Sequence, residues 1–188
     1  MSVRETFEHT FNHSWEDCAI ASWKKWPNPR RPDVLCVDII NKEFDEATGV
    51  LKATRLMMLK SWVPSWMPLA GNNVCFFLEE SITDPKNKRL ILKGKNLTFQ
   101  NLAEMEETCI YTEDENGTFF EQEGAVTAYT FGLARRMEKF CLDRFRNAAI
   151  QGRDIMEQTI RRIKEEGFPM GITMNLEKPP MLTSQMRT

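Results

Sequence analysis

Histidine and tyrosine are scarce, with two of each among 188 residues. His9 and His13 both sit near the start of the chain and belong to no HExxH, GxSxG or Cys–His pattern, so the usual hydrolytic and metal-assisted sites have nothing to be built from. Long apolar runs are also missing: no window approaches the ~18 consecutive apolar residues of a membrane-spanning helix. Cysteine is present without pattern. Cys18, Cys36, Cys75, Cys109 and Cys141 are odd in number and form no C-x-x-C, which predicts isolated core thiols rather than a disulfide framework or a metal site. Neither charge dominates. Lys and Arg total 25 against 27 Asp and Glu, a net charge of −2, so the broad basic footprint of a nucleic-acid binder is lacking. The opening MSVRETFEHTF carries Glu5 and Glu8 and alternates; it resembles neither a secretory signal nor an Arg-rich transit peptide. That predicts the cytosol, or a compartment reached without a cleaved presequence.

What the chain does have is soft and aromatic bulk: 11 Met, 12 Phe and 5 Trp. Such side chains suit an adaptable apolar pocket or surface. The length fits a single domain able to bury one sizeable core.

Val3, Phe7 and Phe11 share one parity, as in a half-buried strand. Ser14 and Asp17 then read as a helix start, and Pro27 and Pro29 as its stop, giving a first helix over 14–25. Strand signals follow at 34–40, 50–62, 74–78, 89–92, 105–111 and from Thr118 onward. Asp45 to Gly49 and Asn116-Gly117 read as hairpin connections. About seven strands joined by short turns predict an antiparallel sheet. From 131 to 166 the period changes: Met137, Cys141, Phe145, Ala148, Gly152, Met156, Thr159 and Ile163 form a helical stripe, ended by Gly167 and Pro169. Residues 1–167 are expected to form the domain and 168–188 a mobile tail. One sheet cannot bury its own apolar face, so the long helix must lie across its concave side, an arrangement that can leave a cavity between the layers.

Trp23-Lys24-Lys25-Trp26-Pro27-Asn28-Pro29 followed by Val34-Leu35 resembles the signature of the PRELI family of intramitochondrial lipid-transfer proteins. The likeness continues through Ala53-Thr54-Arg55-Leu56, Val63-Pro64-Ser65-Trp66, Leu78 to Pro85, and Asn96-Leu97-Thr98, and spans roughly residues 1–166. It implies an α+β fold in which a curved seven-stranded antiparallel sheet and a long C-terminal helix enclose a lipid cavity, similar to StART-like and phosphatidylinositol-transfer proteins. It also implies transfer of an anionic phospholipid, phosphatidic acid first and phosphatidylserine second, across the mitochondrial intermembrane space. Peripheral contact with mitochondrial membranes, a small twin-CX9C helical-hairpin partner and the absence of a cofactor or metal belong to the same implication.

A phosphate headgroup needs cations, Arg above all. By the resemblance, Lys25 and Arg55 match basic family positions, and Arg135, Lys139 and Arg144 fall where the long helix carries others; Lys60 is the lone cation before Trp62. Residues 131–166 hold nine Lys/Arg against six Asp/Glu, whereas 103–124 hold eight acids and no Lys or Arg, so charge is polarised beneath the near-neutral total. Met57, Met58 and Leu59 stand where the family often has further lysines, which weakens the expected phosphate cradle. Trp62, Val63, Pro64, Trp66, Met67 and Leu69 match the family's lid and are expected to gate the cavity and touch the membrane, their indoles favouring the interface and Gly71 serving as a hinge. Arg55→Glu is expected to abolish transfer without unfolding the protein. The competing reading is an adaptor that binds a small helical partner through the same apolar surface and carries no lipid; an enzyme is disfavoured.

Overall fold

The computed structural model describes residues 2–67 and 74–166. Within them the order is β1 (Val3–Phe11), α1 (Trp15–Lys24), β2 (Val34–Phe44), β3 (Leu51–Lys60), β4 (Val74–Asp84), β5 (Arg89–Asn96), β6 (Ala103–Asp114), β7 (Gly117–Ala128) and α2 (Ala134–Glu166). All seven strands join one antiparallel sheet in the order β1-β7-β6-β5-β4-β3-β2. β2 to β7 form a meander, and β1 pairs with the last strand. α1 and the proline-rich stretch behind it carry the chain from one sheet edge to the other. Gly71 and Leu69, expected as hinge and lid residues, and the expected tail at 168–188 lie outside the described residues.

Alternation fixes which face looks inward. In β3, Leu51, Ala53, Arg55 and Met57 are buried while Lys52 is exposed. In β7, Thr118, Phe120, Gln122 and Val126 are buried. A slip of one residue would turn each set to the other face. The Ser14 hydroxyl accepts from Asp17 N at 3.2 Å, and Glu16, Asp17 and Lys24 sit at the ends of α1 that suit their charges.

α2 is 33 residues long, about 50 Å at 1.5 Å per residue. It packs on two separate cores. Met156, Ile160 and Ile163 join Phe11, Trp15, Cys18, Leu90, Tyr111 and Phe120 beneath α1. Met137, Cys141 and Leu142 join Trp62, Cys75, Leu102 and Val126 at the other end.

Several boundaries differ from the sequence reading: β2 runs on to Phe44, β5 to Asn96 and β6 to Asp114, β3 ends at Lys60, and α2 starts at Ala134. β4 continues past Leu78 to Asp84, because Glu79 is buried opposite Arg55 of β3 rather than breaking the strand. The last hairpin turns at 115–116, and Gly117 is already the first residue of β7, paired with Asp114. Gly117 has φ +136°, and a Cβ there would lie 2.2 Å from the Phe11 carbonyl oxygen. Strain and clash together predict that Gly117→Ala costs at least about 2 kcal/mol, read as a lowered midpoint in urea denaturation.

Candidate functional site: a cavity between sheet and helix

Between the two cores the helix stands off the sheet and leaves a half-open cavity of about 470 Å³. Its apolar wall comes from Leu59, Phe77, Met105 and Val126 of the strands and from Cys141, Phe145 and Ala148 of α2. Two glycines make room for rings: a Cβ at Gly94 would sit 2.3 Å from the Phe77 ring, and one at Gly124 would sit 2.5 Å from that of Phe145.

Cations gather at one side of this space. Arg31, Lys60 and Arg144 line it, each from a different element. Arg31 donates from Nε and Nη2 to the two carboxylate oxygens of Asp33 at 2.8 and 2.7 Å. These bonds hold the Asp33 carboxyl below the usual carboxylate range against the opposing effect of burial, with the charges of Arg31 and Arg144 adding to the shift. Arg144 thus reaches across from α2 toward the segment that links α1 to β2, and its guanidinium lies 5.9 Å from the Phe140 ring.

A second polar group lies deeper on the concave face. Arg55 and Glu79, both buried, form an ion pair in which Arg55 Nε donates to Glu79 Oε1 at 2.8 Å. The Arg55 guanidinium also stacks 5.0 Å from the Trp23 ring of α1. On β6, Glu107 lines the cavity and accepts from Gln122 Nε2 at 2.5 Å, with Cys109 Sγ at 3.4 Å. Neither contact is a cation, and a half-buried carboxylate so placed carries a desolvation cost. The cavity offers no activated thiol: burial raises the Cys75 pKa and pushes Cys141 up to about 11. Among the described residues no cluster of His, Cys, Asp and Glu is arranged to hold a metal ion.

The segment after β3 forms one rim. Trp62 is 7% exposed and lines the cavity, with a buried Nε1 that has no hydrogen-bond partner among the described residues. Its ring meets Phe99 edge-on at 5.9 Å. Val63, Trp66 and Met67 pack partly buried on the same core, and Arg136 of α2 stacks 4.4 Å from the Trp66 ring.

Residues 16–166 match the PRELI-like family. The chain belongs to it. It is 48% identical over 170 residues to the slowmo homolog of Dictyostelium discoideum, spanning 88% of this chain and 75% of that one. It is 35% identical over 153 residues to the mitochondrial protein UPS2 of Saccharomyces cerevisiae, spanning 77% and 66%. The fold is StART-like. A Thermus thermophilus protein, TTHA0849, superposes with TM-score 0.55 at 12% identity over 86% of this chain and 98% of its own, and Ara h 8.0201 with 0.54 at 8% over 88% and 99%.

In this PRELI-like chain the expected cations separate into three places. Lys60 and Arg144 line the cavity. Arg55 lies outside its lining, in the deeper polar group, and half-buried Lys25 is close enough for its charge to act on Cys109 there, while its Nζ lies 5.6 Å from the Trp26 ring. Arg135 and Lys139 are exposed on α2 and do not line the cavity; the Lys139 side chain is 77% exposed, with Asp143 at 3.9 Å. Arg31, Asp33 and Glu107 are cavity residues that the sequence reading did not select. Arg31-x-Asp33, two opposite charges two apart just after the Pro-Asn-Pro motif, is the signal that offered the first two.

The Arg55–Glu79 pair alters the expectation for Arg55→Glu. That substitution would set two carboxylates side by side in the interior and unfold the sheet. Arg55→Met alone is expected to cost about 3–5 kcal/mol by stranding Glu79, and the double substitution Arg55→Met with Glu79→Leu to recover most of it, read by chemical denaturation. Asp33, whose pKa is lowered, stabilises the fold above its unfolded value and loses that contribution as pH falls through the folded one. Asp33→Asn is therefore expected to be less stable than the parent at pH 7, with the difference shrinking below pH ~4.

Proposed function

We propose that this protein carries an anionic phospholipid between mitochondrial membranes, working in the intermembrane space. Membership of the PRELI-like family supports a mitochondrial, lipid-transfer-related role, since relatives at 35% and 28% identity are named as mitochondrial. The observation that carries the finer reading is the cavity itself, apolar inside and rimmed by Arg31, Lys60 and Arg144. The tails occupy the apolar part and the phosphate meets the cations. Leaving about thirty methylenes in water costs on the order of 25 kcal/mol at ~0.8 each. Membrane to pocket exchanges one apolar environment for another, so the carrier lowers the barrier without a large net affinity.

By the family resemblance, phosphatidic acid comes first. The cavity's own charges favour phosphatidylserine. Asp33 and Glu107 line the same space as the three cations, and a bare phosphate monoester gains nothing from two carboxylates. A headgroup with an ammonium beside its phosphate and carboxylate suits both signs. The segment 62–67 acts as the lid, and a small helical-hairpin protein of the twin-CX9C type is the partner the family resemblance supplies. The adaptor reading is the rival, and native mass spectrometry separates them. Purified protein is expected to retain a diacyl phospholipid, and an empty protein with a tight partner would favour the adaptor. In liposome transfer, Glu107→Gln is expected to lower the ratio of phosphatidylserine to phosphatidic acid moved by about tenfold; an unchanged ratio would remove Glu107 from headgroup selection.

A further inference from the structure

The corner between β7 and α2 presents apolar side chains to solvent where the fold does not require them. Phe131 is fully exposed at 103%, Tyr129 is 52% exposed and Leu133 41%. Single exposed apolar residues are ordinary; three within five residues, at a protruding turn, are a patch. Gly132 at its tip has φ +70°, and a Cβ there would meet nothing within 4 Å.

Cations follow at once. Arg135 and Arg136 stand in the first turn of α2 and Lys139 one turn on, all exposed, and the first turn holds no acid. The start of a helix carries the positive end of its dipole, so two arginines there work against helix stability. α1 does the reverse, with Glu16 and Asp17 first and Lys24 last. Charges placed against the local rule point to a demand from outside the helix. Nearby acids offset them only in part: Asp143 pairs with Lys139 at 3.9 Å but also with Arg146 at 3.0 Å, Glu104 accepts the Tyr129 hydroxyl at 2.7 Å, Glu138 is half-buried, and among the described residues no carboxylate pairs with Arg135 or Arg136. Arg136 stacks on Trp66, so the corner is continuous with the rim of the cavity.

We propose that this corner is a docking surface for a bilayer containing anionic lipids. Phe131, Tyr129 and Leu133 enter the interfacial layer, where aromatic rings are favoured. Arg135, Arg136 and Lys139 meet the headgroup phosphates, which attract such cations more strongly at low salt. Docking here brings the lid and the cavity mouth to the lipid source. The inference rests on the carrier reading and goes beyond it by naming the surface, which lies outside the cavity.

The test is co-sedimentation with phosphatidylcholine vesicles, with and without about one-third phosphatidylserine. Wild-type protein is expected to bind the mixed vesicles in a salt-sensitive way. The variant Phe131→Ser with Arg135→Gln and Lys139→Gln is expected to bind them at least tenfold more weakly, with an unfolding midpoint no lower than that of the wild type and its co-purified lipid unchanged. Arg136 is left in place because it holds Trp66. Binding of the variant equal to the wild type, or wild-type binding indifferent to phosphatidylserine and salt, would overturn the proposal. Failure of the carrier reading shows in the other measurement, as wild-type protein that purifies without lipid.

Discussion

α2, about 50 Å long at 1.5 Å per residue, joins two separate hydrophobic cores, one at Met137, Cys141 and Leu142 and the other at Met156, Ile160 and Ile163. Between them helix and sheet meet through the Phe145 ring over Gly124 of β7 and through Arg146 on Glu5 of β1, and the cavity opens beside those contacts. The cavity is therefore a consequence of how the two layers bury their apolar faces, and it is held open by the stability of the cores at its ends. The residues of α2 that line this gap include Arg144 and Gln151 as well as Phe145, whose ring also packs 5.6 Å from that of Phe7.

The concave face of the sheet is less apolar than a core would require. Arg55 and Glu79 face each other across β3 and β4, Gln122 of β7 donates diagonally to Glu107 of β6, and Ser81 donates to the Ala53 carbonyl at 3.2 Å. Each of these groups has a partner, so the belt is compatible with folding. It is nonetheless a poor choice for stability alone, since apolar residues of similar volume would serve as well or better. A polar belt under a cavity is what a ligand with a charged end and a long apolar body needs.

Most of the architecture was legible because it rests on local pattern. The period-2 runs gave the strands, the period-3.6 stripe gave α2, and Ser14 with the two prolines bounded α1. The mouth was less legible. The full extent of β4 depends on Arg55, 24 residues from Glu79, making that carboxylate burial tolerable. The same kind of non-local fact separates Arg144, which lines the cavity, from Arg135, which does not, although both lie on one cationic helix. Helical spacing says which residues share a face; it does not say how far the sheet has curved from that face. Glu107 looked like one acid among eight in a charged segment, and only the alternation of β6 against Cys109 and Tyr111 turns it inward.

The walls of the cavity set the last constraint. Phe77 and Phe145 occupy space that Gly94 and Gly124 leave free, so each ring lies directly on strand backbone. Trp62 closes another side of the space, held there by the Phe99 ring edge-on at 5.9 Å and by the core around Leu102 and Val126. On the carrier reading, opening the rim at Trp62 has to break those contacts, and it would uncover the side that Lys60 lines.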